Sequence, residues 1–316
     1  MSEHPAPPLP ITTLTINPAL DVSTSTASVM PEHKMRCGPS RLDPGGGGVN
    51  VSRVIARLGG QSTAIYAVGG PTGQAYRQLL EAEGIVGRAV PIAGSTRENI
   101  TIDETSTGKQ FRFVLQGPEL IEAEWQAALD ATVSAARHGG YVVPSGSLPP
   151  GVPDDYYARV THAAHGSGAR VVVDASGEAL AAALDEGVYL IKPSGRELGE
   201  LVGATLATID ERIAAAEELV RRGRVEVVAL TLGGAGAVLA TRDETLRLSP
   251  PSIEVRSTVG AGDSFLAGMV LRLAEGRSLA DAFRAGVACG AATAMTEATE
   301  LCHADDVLRL EASLAA

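Results

Sequence analysis

Residues 257–264 read Ser-Thr-Val-Gly-Ala-Gly-Asp-Ser and run directly into the apolar segment Phe265–Leu271. Gly260 and Gly262 allow a tight turn whose N–H groups point outward, with the positive end of a following helix behind them. Such a turn traps an anion and suits a phosphate gaining charge. Asp263 is out of place in a plain anion trap, because its carboxylate repels the ligand. A proton acceptor for an attacking hydroxyl explains it; so does an ordinary glycine turn with an aspartate at a helix start.

A second glycine run, Gly45-Gly-Gly-Gly48-Val-Asn50, leads into the amphipathic segment Val51–Leu58. Without side chains, such a backbone can approach a ligand closely. A flexible linker is the alternative, but linkers rarely end in an abrupt, capped helix start such as Asn50 offers. Neither glycine cluster fits the dinucleotide fingerprint and no G-x-x-x-x-G-K-[ST] occurs, which argues against a nicotinamide enzyme and a P-loop enzyme. Lys192-Pro-Ser-Gly-Arg-Glu197 has two competing readings: Ser194 and Glu197 form an S-x-x-E capping box, or Glu197 organises Mg²⁺ through water near nucleotide phosphates. Lys34, Arg36 and Arg97 are scarce cations in an acidic chain; they read as solvated charges or as a lid's grip on a phosphate.

The elements that must position these groups alternate from about Asp43 onward. Helical segments are separated by short β-branched runs, the pattern of a parallel sheet covered by helices on both faces. Strands are expected at Ile11–Ile16, Thr63–Val68, Tyr141–Val143, Arg170–Asp174, Val188–Lys192 and Val225–Leu232. Helices are expected around Asn50–Leu58, Gly73–Glu83, Glu122–His138, Asp154–His165, Glu197–Leu201 and Asp210–Arg222. Ligands of open α/β sheets sit beyond the carboxyl ends of strands, where Asp21, Ser145, Asp174, Lys192 and Thr231 all fall. Val22–Leu42 and Arg97–Leu115 break the alternation and read as antiparallel strands of a small accessory sheet, a cleft cover or a dimerisation surface. The expected division is a disordered tail over 1–10, a large α/β unit from 11–21, 43–96 and 116–316, and a small β lid from 22–42 and 97–115.

With 316 residues, 45% hydrophobic, the chain can bury one large core. A formal charge of −11 without a Lys/Arg run argues against nucleic acid or an anionic membrane as partner. Cys37, Cys289 and Cys302 are odd in number and widely spaced, indicating neither a disulfide framework nor a zinc site and fitting a reducing cytoplasm.

Five pieces together carry a resemblance: Asn17-Pro-Ala-Leu-Asp21, Lys34-Met-Arg36-Cys, Pro44–Asn50, Ser145-Gly-Ser-Leu-Pro-Pro-Gly151 and Ser257–Asp263. From about Ile11 to Cys302 the chain resembles the ribokinase-type (PfkB-type) sugar kinases, and among them the minor 6-phosphofructokinase branch. The resemblance implies a ribokinase-like three-layer α/β/α domain with a mainly parallel central sheet and a small β-sheet that serves as lid and dimer clasp. It implies Mg²⁺- and ATP-dependent phosphorylation of the C1 hydroxyl of fructose 6-phosphate. Asp263 would be the base, and the amides of Gly260, Ala261 and Gly262 would stabilise the transferring phosphoryl group. Asp21, Gly46, Gly47 and Asn50 would hold the sugar, with Ser145, Arg97, Lys34 and Arg36 around its phosphate and Lys34 acting across a homodimer interface. Lys192, Ser194, Thr231, Gly233 and Gly236 would face ATP; Glu197 and Asp174 would organise Mg²⁺; the carbonyls of Ser257 and Val259 would offer half of a K⁺ site.

Two departures from the family pattern bear on this. The family's N-x-x-E reads Ser194-Gly-Arg-Glu197, which weakens Mg²⁺ organisation or leaves only the cap. Thr293–Glu300 lacks the Asn, Gly and Arg of the relatives' cation loop, leaving the other half of the K⁺ site open. Related 1-phosphofructokinases and tagatose-6-phosphate kinases carry a lysine in the glycine run, so Gly46-Gly47-Gly48 favours fructose 6-phosphate, with those two substrates as the runners-up. A non-catalytic sugar-phosphate sensor is the rival from another class.

Overall fold

The computed structural model describes residues 7–136 and 139–315. Residues 1–6 of the expected tail, and His138 at the expected end of a helix, lie outside the described residues. Residues 7–10 run exposed, with the Leu9 N–H donating to the Ala274 carbonyl at 2.8 Å.

In chain order the elements are β1 (Ile11–Thr15), β2 (Ala19–Thr26), β3 (Arg41–Gly45), α1 (Gly47–Arg57), β4 (Thr63–Val68), α2 (Gly70–Ala82), β5 (Gly87–Pro91), β6 (Arg97–Glu104) and β7 (Lys109–Val114). There follow α3 (Glu122–Ala135), β8 (Tyr141–Pro144), α4 (Tyr156–His165), β9 (Arg170–Val173), α5 (Gly177–Asp185), β10 (Val188–Ile191), α6 (Gly195–Val202) and α7 (Ile209–Arg221). The last are β11 (Val225–Thr231), β12 (Ala237–Ala240), β13 (Thr245–Leu248), α8 (Ala261–Ala274), α9 (Leu279–Ala294) and α10 (Ala304–Ala315).

A nine-stranded sheet has the order β13-β12-β11-β10-β9-β8-β1-β4-β5. It is parallel from β11 to β5, while β12 and β13 close one edge antiparallel. The alternation of each strand sends its β-branched residues to both faces: Val171 and Val173 pack against α3–α7, whereas Val172 packs with α1 and α8–α10. Helices therefore cover both faces, and the core lies in two layers on either side of the sheet. Because β4 and β8 flank β1 on opposite sides, the strand order reverses there, which opens a crevice at the carboxyl ends of β1 and β8.

The second sheet has the order β3-β2-β6-β7. Its outer pairs are antiparallel, but β2 runs parallel to β6, in contrast to the wholly antiparallel expectation. The two strands come from separate excursions out of the large sheet, so a hairpin between them is impossible. Residues 27–40 contribute no strand, and β2 begins at Ala19, so Asp21 sits inside the small sheet. Among the described residues no helix is long and apolar enough to cross a membrane.

Candidate active site

The turn before α8 forms as the glycines require. Gly260 caps α8 from the left-handed region at φ 73°, and the first-turn N–H groups of Gly262 and Asp263 have no acceptor among the described residues. Asp263, in the first turn, projects into a cleft of about 330 Å³. Its Oδ2 accepts the Asn50 Nδ2–H at 2.8 Å. Desolvation, then the nearby charge of Asp174, push its pKa up to about 7, against the pull of Asn50 and Lys192. A carboxyl poised there can exchange a proton near neutral pH.

The crevice between β1 and β8 supplies one wall. A side chain at Gly47 would stand 2.1 Å from Ser145 Oγ, so only bare backbone fits between the glycine run and the end of β8. Gly46, Gly47, Asn50 and Ser145 line the cleft with Asp263. The small sheet supplies the facing wall, with Asp21, Arg97, Asn99, Thr101 and Arg112. Burial raises the pKa of Asp21, while the Asn99 N–H at 2.9 Å and the cations Arg97 and Arg112 work the other way. Arg97 donates to the Asn17 carbonyl at 3.0 Å and the Leu115 carbonyl at 2.9 Å, and its buried Nε is without a partner. Arg112 and Asn99 were not foreseen from sequence. The alternation in Gln110–Val114 marks a strand, but only the pairing of Thr101 with Arg112 and of Asp21 with Asn99 shows which residues meet the cleft.

At the carboxyl ends of β9 and β10, Lys192 Nζ lies 3.2 Å from Asp174 Oδ1. Burial disfavours the ammonium, yet Asp174, Asp263 and Glu197 outweigh it, and the Lys192 pKa is raised. Lys192 is thus a buried charge behind the cleft and is absent from its lining, whereas Asp174 and Glu197 line it directly. Ser194 and Glu197 form a complete capping box: Glu197 Oε2 accepts the Ser194 N–H at 2.8 Å and Ser194 Oγ accepts the Glu197 N–H at 3.3 Å. Ser194 pairs with Thr231 in an isolated bridge, which brings the turn carrying Gly233 and Gly236 to the same rim, outside the cleft lining. A side chain added at Gly233 or Gly234 would meet nothing within 4 Å, so this rim is open. Ser257 turns its hydroxyl to the Ala298 carbonyl at 2.7 Å, and Val259 lines the cleft. The Ser257 and Val259 carbonyls accept no hydrogen bond among the described residues. Lys34 and Arg36 lie exposed in the segment after β2 and do not reach the cleft of their own chain.

Residues 15–305 match the pfkB family of carbohydrate kinases. ATP-dependent 6-phosphofructokinase isozyme 2 of Mycobacterium tuberculosis is 49% identical over 299 residues, 95% of this chain and 88% of the relative. A 1-phosphofructokinase of Bacillus subtilis is 34% identical over 287 residues, 91% of this chain and 93% of that one. Among solved structures, phosphofructokinase-2 from Escherichia coli in complex with potassium superposes with a TM-score of 0.94 at 40% identity, covering 98% of this chain and 100% of that one. Arabidopsis thaliana ribokinase, complexed with ribose and ATP, shares the fold at a TM-score of 0.78 and 20% identity, covering 96% of this chain and 99% of that one. The expected architecture, a cleft carboxylate at a glycine turn with unengaged N–H groups, and a family match and relatives that span most of the chain agree: the chain belongs to the pfkB family of carbohydrate kinases.

Proposed function

We propose that this chain is an ATP-dependent 6-phosphofructokinase, transferring a phosphoryl group to the C1 hydroxyl of fructose 6-phosphate to give fructose 1,6-bisphosphate. The observation that carries the reading is Asp263, held by Asn50 at the anion-trapping start of α8 with its pKa raised to about 7. In this reading Asp263 accepts the hydroxyl proton, and the amides of Gly260, Ala261 and Gly262 receive the negative phosphoryl oxygens. Asp21, Gly46, Gly47 and Asn50 orient the sugar, and Arg97, Arg112 and Ser145 surround its phosphate. ATP lies along the rim of Ser194, Thr231, Gly233 and Gly236, with the buried Lys192 behind its phosphates. The names of the relatives support fructose 6-phosphate over fructose 1-phosphate or tagatose 6-phosphate, and a cytoplasmic setting is consistent with the ATP that such a kinase draws on.

Mg²⁺ fits the donor set. Asp174 and Glu197 both face the cleft; each has one oxygen firmly engaged, by Lys192 and by the Ser194 N–H, and a second held only loosely, by Ser145 Oγ at 3.5 Å and by Arg196 at 3.9 Å. Two carboxylates suit a cation that keeps most of its water. When bound, the ion neutralises the charge of the ATP phosphates. The unengaged carbonyls of Ser257 and Val259 likewise suit K⁺.

The test compares ADP release with the three sugar phosphates. A kcat/KM at least about tenfold higher for fructose 6-phosphate is expected; a preference for another sugar moves the assignment to that substrate, and binding without turnover on any makes the chain a sensor.

The chain is also proposed to form a homodimer through the small sheet, where Phe113, Val114, Leu115, Leu42, Met30 and Met35 are exposed. Such an apolar face needs a cover, and a partner there would bring its Lys34 toward the cleft. Sedimentation should show a dimer, and Leu42→Glu a monomer; a dimer that survives the substitution puts the interface elsewhere.

A further inference from the structure

Arg53 has no part in the reading above, yet it is the largest side chain sealed in the core, 1% exposed. A guanidinium withdrawn from water is costly unless every face is met by an acceptor. Here every face is met. The Glu83 carboxylate takes Nε and Nη2 at 2.8 and 2.6 Å in a two-pronged grip, and Asp43 Oδ1 lies 3.5 Å from Nη2. Nη1 donates to the Pro44 carbonyl at 3.0 Å and to Asn50 Oδ1 at 3.3 Å.

The last contact has a directional consequence. An amide side chain offers an acceptor on one side and donors on the other. With Arg53 donating to Asn50 Oδ1, the Asn50 NH₂ is turned to Asp263, where it donates at 2.8 Å. Turned over, Asn50 would set N–H against N–H at Arg53 and oxygen against carboxylate at Asp263. Both faces of the amide thus enforce one orientation. The Pro44 carbonyl, held by the same Nη1, opens the glycine run that lines the cleft. Asp43 is itself fixed by Thr299 Oγ1 at 2.6 Å and by Arg41 Nε at 2.9 Å, which anchors one of the guanidinium's acceptors.

We propose that Arg53 is a positioning residue for phosphoryl transfer: through Asn50 it fixes the hydrogen bond that aligns Asp263, and through the Pro44 carbonyl it sets the glycine run. This rests on the assignment of Asp263 as the base. A lysine keeps the charge but lacks the planar fork, so it can satisfy Glu83 or Asn50 and not both.

The test is a double-mutant cycle between Arg53→Lys and Asn50→Ala, read by steady-state ADP release with fructose 6-phosphate. Arg53→Lys is expected to lower kcat about 10- to 100-fold with KM for ATP unchanged. In the Asn50→Ala background the same change should cost several-fold less, because the amide route is gone and only the contact with the Pro44 carbonyl remains to be lost. Glu83→Gln loosens the grip without emptying the site; its smaller loss of kcat should likewise shrink in the Asn50→Ala background, and it carries the test if Arg53→Lys does not fold. Where steady-state turnover is too low, single-turnover formation of ADP gives the same cycle. Equal losses in both backgrounds, or an unchanged kcat in Arg53→Lys, overturn the proposal. Should the cycle show no coupling while Asp263→Asn is inactive, Arg53 alone is reassigned; should Asp263→Asn turn over normally, the reading of the base fails instead.

Discussion

Asp263→Asn is expected to lower kcat by roughly 10²- to 10⁴-fold, the usual worth of a positioned base, while fructose 6-phosphate binds about as before. The isosteric amide can still accept the Asn50 N–H that Asp263 Oδ2 takes at 2.8 Å, so the cleft keeps its shape and loses only the proton acceptor. In the unmodified protein kcat/KM should rise with pH through about 7, because the base works only when ionised. The same substitution has an opposite effect on stability. Asp263 holds its proton in the folded state up to about pH 7, whereas an unfolded aspartate releases it near pH 4. The stabilisation is complete below about pH 4 and is lost as pH climbs through the folded value, since a buried carboxylate must then be charged. Asp263→Asn has no proton to lose, so its advantage over the parent should grow between pH 4 and pH 8. The gain is on the order of 2 kcal/mol, reduced by the carboxylate's partial access to the cleft. Thermal melts at the two pH values measure it; a constant difference across the range would show that Asp263 titrates normally.

The second large effect is expected for Lys192→Met. The Nζ that lies 3.2 Å from Asp174 also draws down the pKa of Asp263. Removing it leaves two carboxylates near each other with no cation between them. At pH 7 Asp263 should then be largely protonated, and the loss of turnover should reach about 10²-fold, comparable to removal of one charge-stabilising group in other active sites. The rise of kcat/KM with pH should move to a higher value, so part of the activity returns at pH 8.5. A profile that keeps its midpoint and merely drops in height would mean that Lys192 acts on ATP alone. Breaking a buried pair this way costs about 3–5 kcal/mol at pH 7, and less in acid, where one carboxylate is neutral.

How much of this was readable beforehand depends on how local each feature is. All six expected strands are present, because β-branched runs between helical segments carry their own signal. The glycine turns, Asp263, Asn50 and Ser145 converge on one cleft because each follows directly from its position at a strand end or helix start. The capping box at Ser194 and Glu197 was one of two open readings, and both its hydrogen bonds form while Glu197 still faces the cleft. What was missed is non-local. The edge strands β12 and β13 are short and follow a glycine turn that read only as a rim. Helices α5, α9 and α10 lie in alanine-rich stretches with weak punctuation. Arg53 looks in sequence like any helix cation; its burial depends on Glu83, 30 residues away, and on Asp43. Thr299 reaches Asp43 across 256 residues, a contact that no window of sequence contains.

The hydrogen bond between Asn50 and Asp263 joins positions 213 residues apart. The helix that delivers the carboxylate, α8, is also one of those that cover the second face of the large sheet. In the order of synthesis, then, the glycine run and Asn50 precede Asp263 by most of the chain, and Asp263 arrives only with the layer that seals the core. The cleft is therefore completed only by the layer that seals the core, and a chain truncated before α8 should be neither fully packed nor able to present a carboxylate to Asn50.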